Sequence, residues 1–249
     1  NRKYPFEATG RTGALPFVYK TYQTPNAAMG SMSGWGNYYW QQIYCMAAMG
    51  KSEKEKATLF IPGSYTPING FTSQQGLSAL CVFNRLPTMW HLTQWKGDLA
   101  DYRETFGEFG IGFTDQFTRV SRTSERIVIQ AYGYDVYIFP FEMVNGEIKS
   151  SSMELRQREK TSPRYHTRPA HFNEYVFNEK ADWFGVVVKI VESGQKVERP
   201  EIFYKTEAAI HTFSTEDNLS VSVACMEQGN CIQIRTDDVN LIPRLQIID

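Results

Sequence analysis

From Ala57 onward the chain breaks into short apolar or alternating runs, and this rhythm restricts its possible folds more than any other feature. The runs are ATLFIPG, LSALCVF, MWHLTQW, FGIGFTDQF, RIVIQAYGYDVYIFPF, NEYVFN, WFGVVVKIV, EIFYKTEAAIHTF, LSVSVAC and CIQIR, with Gly, Pro, Asn and Asp turns between them. A strand turns successive side chains to opposite faces, so runs of this length and period suit pleated strands better than helices. Ten strand candidates closed by turn residues predict an all-β, two-sheet antiparallel sandwich or a barrel. Sixteen Phe, fourteen Tyr and five Trp agree, since aromatic side chains fit a half-buried pleated surface. With no internal repeat and no clear linker, residues 1–249 read as a single β-sandwich domain.

Two segments upstream depart from this pattern. Residues 1–37, with TGRTGALP and GSMSGWG, are rich in Gly, Pro, Thr and Asn and predict an extended N-terminal arm. NYYWQQIYCMAAMG then predicts one short helix, with Tyr39, Ile43 and Met46 at i, i+4 and i+7 and Gly50 as its stop. The first residue is Asn1, which implies a processed or trimmed end.

Charge and motif content exclude several classes. A formal net charge of −1 does not suit strong sequence-independent nucleic-acid binding, which needs a broad basic surface to release counterions. No apolar run reaches the ~20 residues that span a bilayer, so no membrane span is expected. The sequence MGKS at 49–52 ends like a phosphate loop, but the leading glycine is replaced by Cys45. No nucleophile elbow, HExxH or dinucleotide fingerprint occurs, and no cofactor is expected. Glu104 and Glu108, and Glu142, Glu147 and Glu154, could form paired carboxylates only if the fold brought two within ~5–9.5 Å. Solvated faces explain them equally well.

Cys45, Cys81, Cys225 and Cys231 lack zinc-ligand spacing, and no metal site is expected. In LSVSVACMEQGNCIQIR, however, EQG suits a hairpin loop that sets Cys225 opposite Cys231. That register makes them a possible disulfide; a slip of one residue leaves two buried thiols. Trp35, Trp40, Trp90 and Trp95 are candidate aromatic contacts, able to stack on sugar rings, to fill a subunit contact or to serve a core short of Leu.

The densest cationic stretch is MELRQREK followed by PRYHTRPAHF. Prolines and the triple Ser150–Ser152 predict a long irregular loop. Arg156, Arg158, Arg164 and Arg168 can fork onto carboxylate, sulfate or phosphate groups, with His166 and His171 adding pH sensitivity. Tyr165 would complete a contact to an acidic sugar. The expected partner is another subunit or an acidic ligand; a solvated loop is the plain alternative.

Two resemblances bear on function. SMELRQRE, residues 152–159, is similar to the arginine-and-glutamate strand motif of alginate-type polysaccharide lyases. QWKGDLADYRETF, residues 94–106, resembles the Trp-x-Gly strand segment of jelly-roll coat proteins of picorna-like viruses. The second implies a jelly-roll sandwich and a structural, non-catalytic subunit of a viral capsid or similar shell, located in the virion. Its expected partners are copies of itself or related coat subunits. The competing expectation is a secreted β-sandwich that binds or cleaves an acidic polysaccharide, as a lyase or glycoside hydrolase.

Overall fold

The computed structural model describes residues 4–11, 17–34, 44–52, 54–61, 68–87, 110–159, 171–177, 181–225, 231–236 and 239–240. All regular structure among them is β-strand, arranged in three antiparallel sheets. No helix among the described residues is long and apolar enough to cross a membrane.

The front sheet has eight strands in the order β1 (Phe6–Arg11), β2 (Phe17–Gln23), β3 (Ala27–Gly34), β4 (Cys45–Gly50), β5 (Lys56–Ile61), β8 (Gly110–Phe113), β14 (His171–Phe177) and β13 (Met153–Glu159). The middle sheet runs β6 (Ile68–Gln75), β7 (Ser78–Pro87), β15 (Trp183–Glu192), β11 (Tyr134–Val144), β10 (Ile127–Ala131) and β9 (Thr118–Arg122), and β12 (Glu147–Ser150) also pairs with β11. The back sheet is a meander of β16 (Ile202–Glu207), β17 (Ile210–Thr215), β18 (Ser220–Cys225), β19 (Cys231–Thr236) and β20 (Val239–Asn240).

The middle sheet is covered on both faces, and this explains its strand sequences. On β7, Ala79, Cys81 and Phe83 pack toward the front sheet, while Leu80 and Val82 pack toward the back. On β11 the same division separates Val136 and Ile138 from Tyr137, Phe139 and Phe141. On β15 it separates Phe184, Val186 and Val188 from Trp183 and Val187. A strand buried on both faces must be apolar at every position, so LSALCVF and WFGVVVKIV read as continuous runs. Each fully buried aromatic or aliphatic side chain contributes about 1.5–3 kcal/mol. Gly185 is the gap in this pattern: a Cβ there would lie 2.4 Å from Cys81 O and 2.5 Å from Phe141 Cζ. The missing side chain is what admits the Phe141 ring.

Several expectations change here. The strands build three sheets rather than two. Residues 1–37, expected as an irregular arm, contain the packed strands β1, β2 and β3. The expected helix is strand over Cys45–Gly50, with Cys45, Ala47 and Met49 buried and hydrogen-bonded neighbours on both sides. Apolar residues at 45, 47 and 49 satisfy a period of two, and pairing with β3 and β5 overrides the local helical spacing. Residues 37–43 of that segment lie outside the described set. Cys225 and Cys231 are cross-strand partners in the β18–β19 hairpin, and a disulfide joins them with a Cα separation of 4.1 Å. Cys45 and Cys81 are free thiols buried between the front and middle sheets.

The three sheets meet along β6, whose second edge has no strand partner among the described residues. Polar side chains occupy it instead. Gln233 of β19 accepts a hydrogen bond from Thr72 N–H at 3.3 Å and donates Nε2–H to Thr72 O at 3.0 Å, as a neighbouring strand's peptide would. Thr236 Oγ1 donates to the same carbonyl at 2.8 Å. On the front-sheet side, Thr72 Oγ1 donates to Met32 O at 2.7 Å and Gln74 Nε2 to Met29 O at 3.0 Å. Lys20 Nζ reaches Gln74 O at 3.2 Å. Pairing these backbone groups removes the cost of burying an open edge and denies that edge to another chain.

Candidate functional site

The sequence-selected cationic residues divide between strand and undescribed segments. Arg156 and Arg158 lie on β13, an edge strand, and not in an irregular loop. Their Cα partners on β14 are Glu174 and Phe172, and His171 opposes Glu159. Strand pairing of β13 with β14 takes up Met153–Glu159 and His171–Phe177 of the expected loop, and residues 160–170, with both prolines, lie outside the described residues. Arg164, Tyr165, His166 and Arg168 lie outside the described residues, as do Trp35, Trp40, Trp90 and Trp95, Glu104 and Glu108, and residues 94–106. Arg156 Nη2 pairs with Glu154 Oε2 at 3.1 Å on the exposed face. Such a pair contributes little stability in water.

Register places Arg156 on a feature that spacing could not reveal. One transverse row crosses the front sheet from Ala8 through Thr21, Gly30, Met46, Phe60, Gly112 and Glu174 to Arg156. This row belongs to the outer face, because the inner-face residues Met29, Ala47, Leu59, Ile111 and Tyr175 pack against the middle sheet. Near the β1 end that outer face is apolar and open. Met46 is 49% exposed and Tyr19 42%, with Met32 beside Tyr19 on β3. Gly30 lies between them, and a Cβ there would find only ordinary contacts, the nearest at 3.7 Å. The result is a shallow apolar strip, Tyr19–Met32–Gly30–Met46, on a sheet that ends in the Glu154–Arg156 pair.

The remaining ionisable groups hold structure together. Asp135 accepts hydrogen bonds from Gly194 N–H at 3.0 Å, Gln130 Nε2 at 2.7 Å and Ser193 Oγ at 3.0 Å. Burial pushes its pKa up, but these donors outweigh burial and hold it below the usual value. The carboxylate thus ties the β10–β11 turn to the end of β15. On the back sheet, His211 Nδ1 lies 2.8 Å from Tyr204 Oη, and its ring centroid is 5.0 Å from that of Trp183. Burial lowers the His211 pKa. Trp183, the one tryptophan absent from the sequence candidates, also contacts Phe213 at 5.2 Å, so it is a core residue. Lys189 pairs with Asp217 and so links middle and back sheets. Among the described residues, no group of three His, Cys, Asp or Glu is placed to hold a metal ion.

No protein-family model matches the sequence, and no curated protein or solved structure proved similar to it. The apolar strip was invisible in the sequence because Tyr19, Gly30, Met32 and Met46 come from three strands; YKTY and GSM carry no signal until they are paired.

Proposed function

We propose that the chain is a non-catalytic structural subunit of a self-assembling shell of the viral-capsid type, packing against copies of itself or related coat subunits in a virion. The observation that carries this reading is the exposed strip Tyr19–Met32–Gly30–Met46 on the outer face of an eight-stranded sheet. Exposed apolar surface backed by a rigid scaffold, with aromatic and Met side chains at its centre, is the composition of a protein–protein contact. The Glu154–Arg156 pair at the sheet's far edge supplies the polar rim.

Strand winding supports the jelly-roll type. β7 pairs with β15 in the middle sheet, and β8 pairs with β14 in the front sheet. A long antiparallel ribbon folded over two facing sheets would give such pairings, with the chain crossing between the sheets from β7 to β8 and back from β14 to β15. The resemblance of residues 94–106 to picorna-like coat proteins points the same way.

Light scattering coupled to size exclusion tests the proposal. Large oligomers or particles are expected, and Tyr19→Glu with Met46→Glu is expected to disperse them without lowering the melting temperature. A strict monomer that retains or cleaves an acidic polysaccharide overturns the shell reading. That outcome would favour a secreted carbohydrate-active or carbohydrate-binding sandwich, the second reading, which the Cys225–Cys231 disulfide supports because such bonds persist in oxidising compartments.

A further inference from the structure

A cleft of about 360 Å³ opens where two strands part on the same edge of β11. β10 pairs with β11 as far as Ile127↔Ile138, and β12 takes over at Phe141↔Ser150, so Phe139 and Pro140 face the gap with neither strand. Pro140 fits there for a physical reason. Its carbonyl accepts Ser151 N–H at 3.2 Å on the gap side, so the N–H that proline lacks would also have pointed into the gap and not toward β15. The floor is buried and largely apolar, formed by Ile127, Pro140 and Met153.

The rim is polar and carries positive charge. Arg122, at the end of β9, lines the cleft and is exposed, and its guanidinium has no hydrogen-bond or ion-pair partner among the described residues. Ser124 and Ser152 add hydroxyls at the mouth. Deeper in, Ser151 is 2% exposed, and among the described residues its hydroxyl reaches only Ser152 O at 3.5 Å, beyond the usual O–H···O range of ~2.5–3.0 Å. A buried hydroxyl held only by a long bond can turn to a ligand atom at little cost. No carboxylate is among the described lining residues. Arg199 donates to Ser150 Oγ one residue away, and the nearby Glu125 carboxylate offsets its charge, so Arg122 is the cation that the cleft itself presents.

We infer that this cleft binds a small oxyanion ligand, a carboxylate, sulfate or phosphate group carried on a body of about sugar-ring size. Arg122 grips the anion, the Ser124 and Ser151 hydroxyls donate to its oxygens, and the body lies over Ile127, Pro140 and Met153. A charged donor in a partly enclosed site is the strong kind of hydrogen bond, and the cleft volume lies within the ~300–1,000 Å³ of small-molecule pockets. The ligand is additional to the shell proposal, which needs none.

The test is titration of the intact chain with sodium glucuronate and with sodium sulfate, at constant ionic strength made up with chloride. Amide shifts of residues 122–124 and 151–153 report binding. Saturable shifts with both are expected, glucuronate binding more tightly because the floor covers its carbon face. Arg122→Gln is expected to weaken both by about tenfold or more, the usual effect of losing a charged hydrogen bond. Ser151→Ala, which keeps the charge, weakens both several-fold. Arg156→Gln, on the front-sheet edge, leaves both unchanged. Arg122 is exposed, so its variant is expected to keep the wild-type melting temperature in buffer. Absence of saturable shifts, equal affinity in Arg122→Gln, equal loss in Arg156→Gln, or binding of sulfate without glucuronate would each overturn the inference.

Discussion

Replacing Gln233 tests whether a side-chain amide takes the place of a missing strand at the junction of the three sheets. Gln233 is fully buried, and its Oε1 accepts from Thr72 N–H at 3.3 Å. In Gln233→Ala that N–H loses this acceptor inside the protein, which costs about 1–3 kcal/mol. Thr72 O keeps Thr236 Oγ1 at 2.8 Å, so losing the Nε2 donor costs only about 1 kcal/mol. The space vacated by the amide adds about 1 kcal/mol. Together these predict a loss of about 3–5 kcal/mol, a large share of the 5–15 kcal/mol typical of a folded domain. Urea denaturation followed by far-ultraviolet circular dichroism measures it, with an unchanged slope if only stability moves.

Gln233→Glu separates geometry from volume, because it keeps the shape and changes the chemistry. One carboxylate oxygen can accept from Thr72 N–H, but the other faces the carbonyls of Thr72 and Arg235, which cannot donate. The buried carboxyl must therefore stay protonated, with a pKa raised above the ~4.3 of the unfolded chain. Between those two values the native state binds the extra proton, so stability falls as pH rises from about 4.5 to 7. A Gln233→Ala variant within 0.5 kcal/mol of wild type, or a Gln233→Glu variant with no such slope, would refute the strand-edge role.

Two further outcomes follow from the core. Gly185→Ala inserts a methyl group against the Cys81 carbonyl at 2.4 Å and the Phe141 ring at 2.5 Å, so β15 must shift; calorimetry is expected to show a loss of at least the ~1–3 kcal/mol of an overpacked core. His211 has a pKa lowered by burial, so the unfolded chain takes up a proton at a higher pH than the native protein, and stability falls as pH drops below about 6.5. In His211→Gln the measured denaturation midpoint should lose that part of its pH dependence, and an identical pH profile would contradict the assignment.

Much of the strand content was legible in the sequence, because side-chain period is a local property. WFGVVVKIV, DVYIFPF and LSVSVAC are strands where their patterns put them, and the EQG spacing matched Cys225 to Cys231 through the geometry of one hairpin. What lies across each strand is not local. CMAAMG satisfies both helical and strand periods, and only β3 and β5 on either side decide for strand. In CIQIR, alternation alone would send Ile234 inward and Gln233 to solvent. The structure buries Gln233 fully and leaves Ile234 half-buried, because the open edge of β6 needed a donor and an acceptor there, and a register shift after Ser222 supplies them. The candidate sites have the same origin. Ser150–Ser152 stood out in the sequence, but Arg122 belongs to another strand, and Tyr19, Met32 and Met46 come from three more. Local sequence determined that strongly patterned segments such as WFGVVVKIV and DVYIFPF extend. Long-range pairing decided which faces were covered, because burial depends on what packs opposite, and that partner lies tens to more than a hundred residues away.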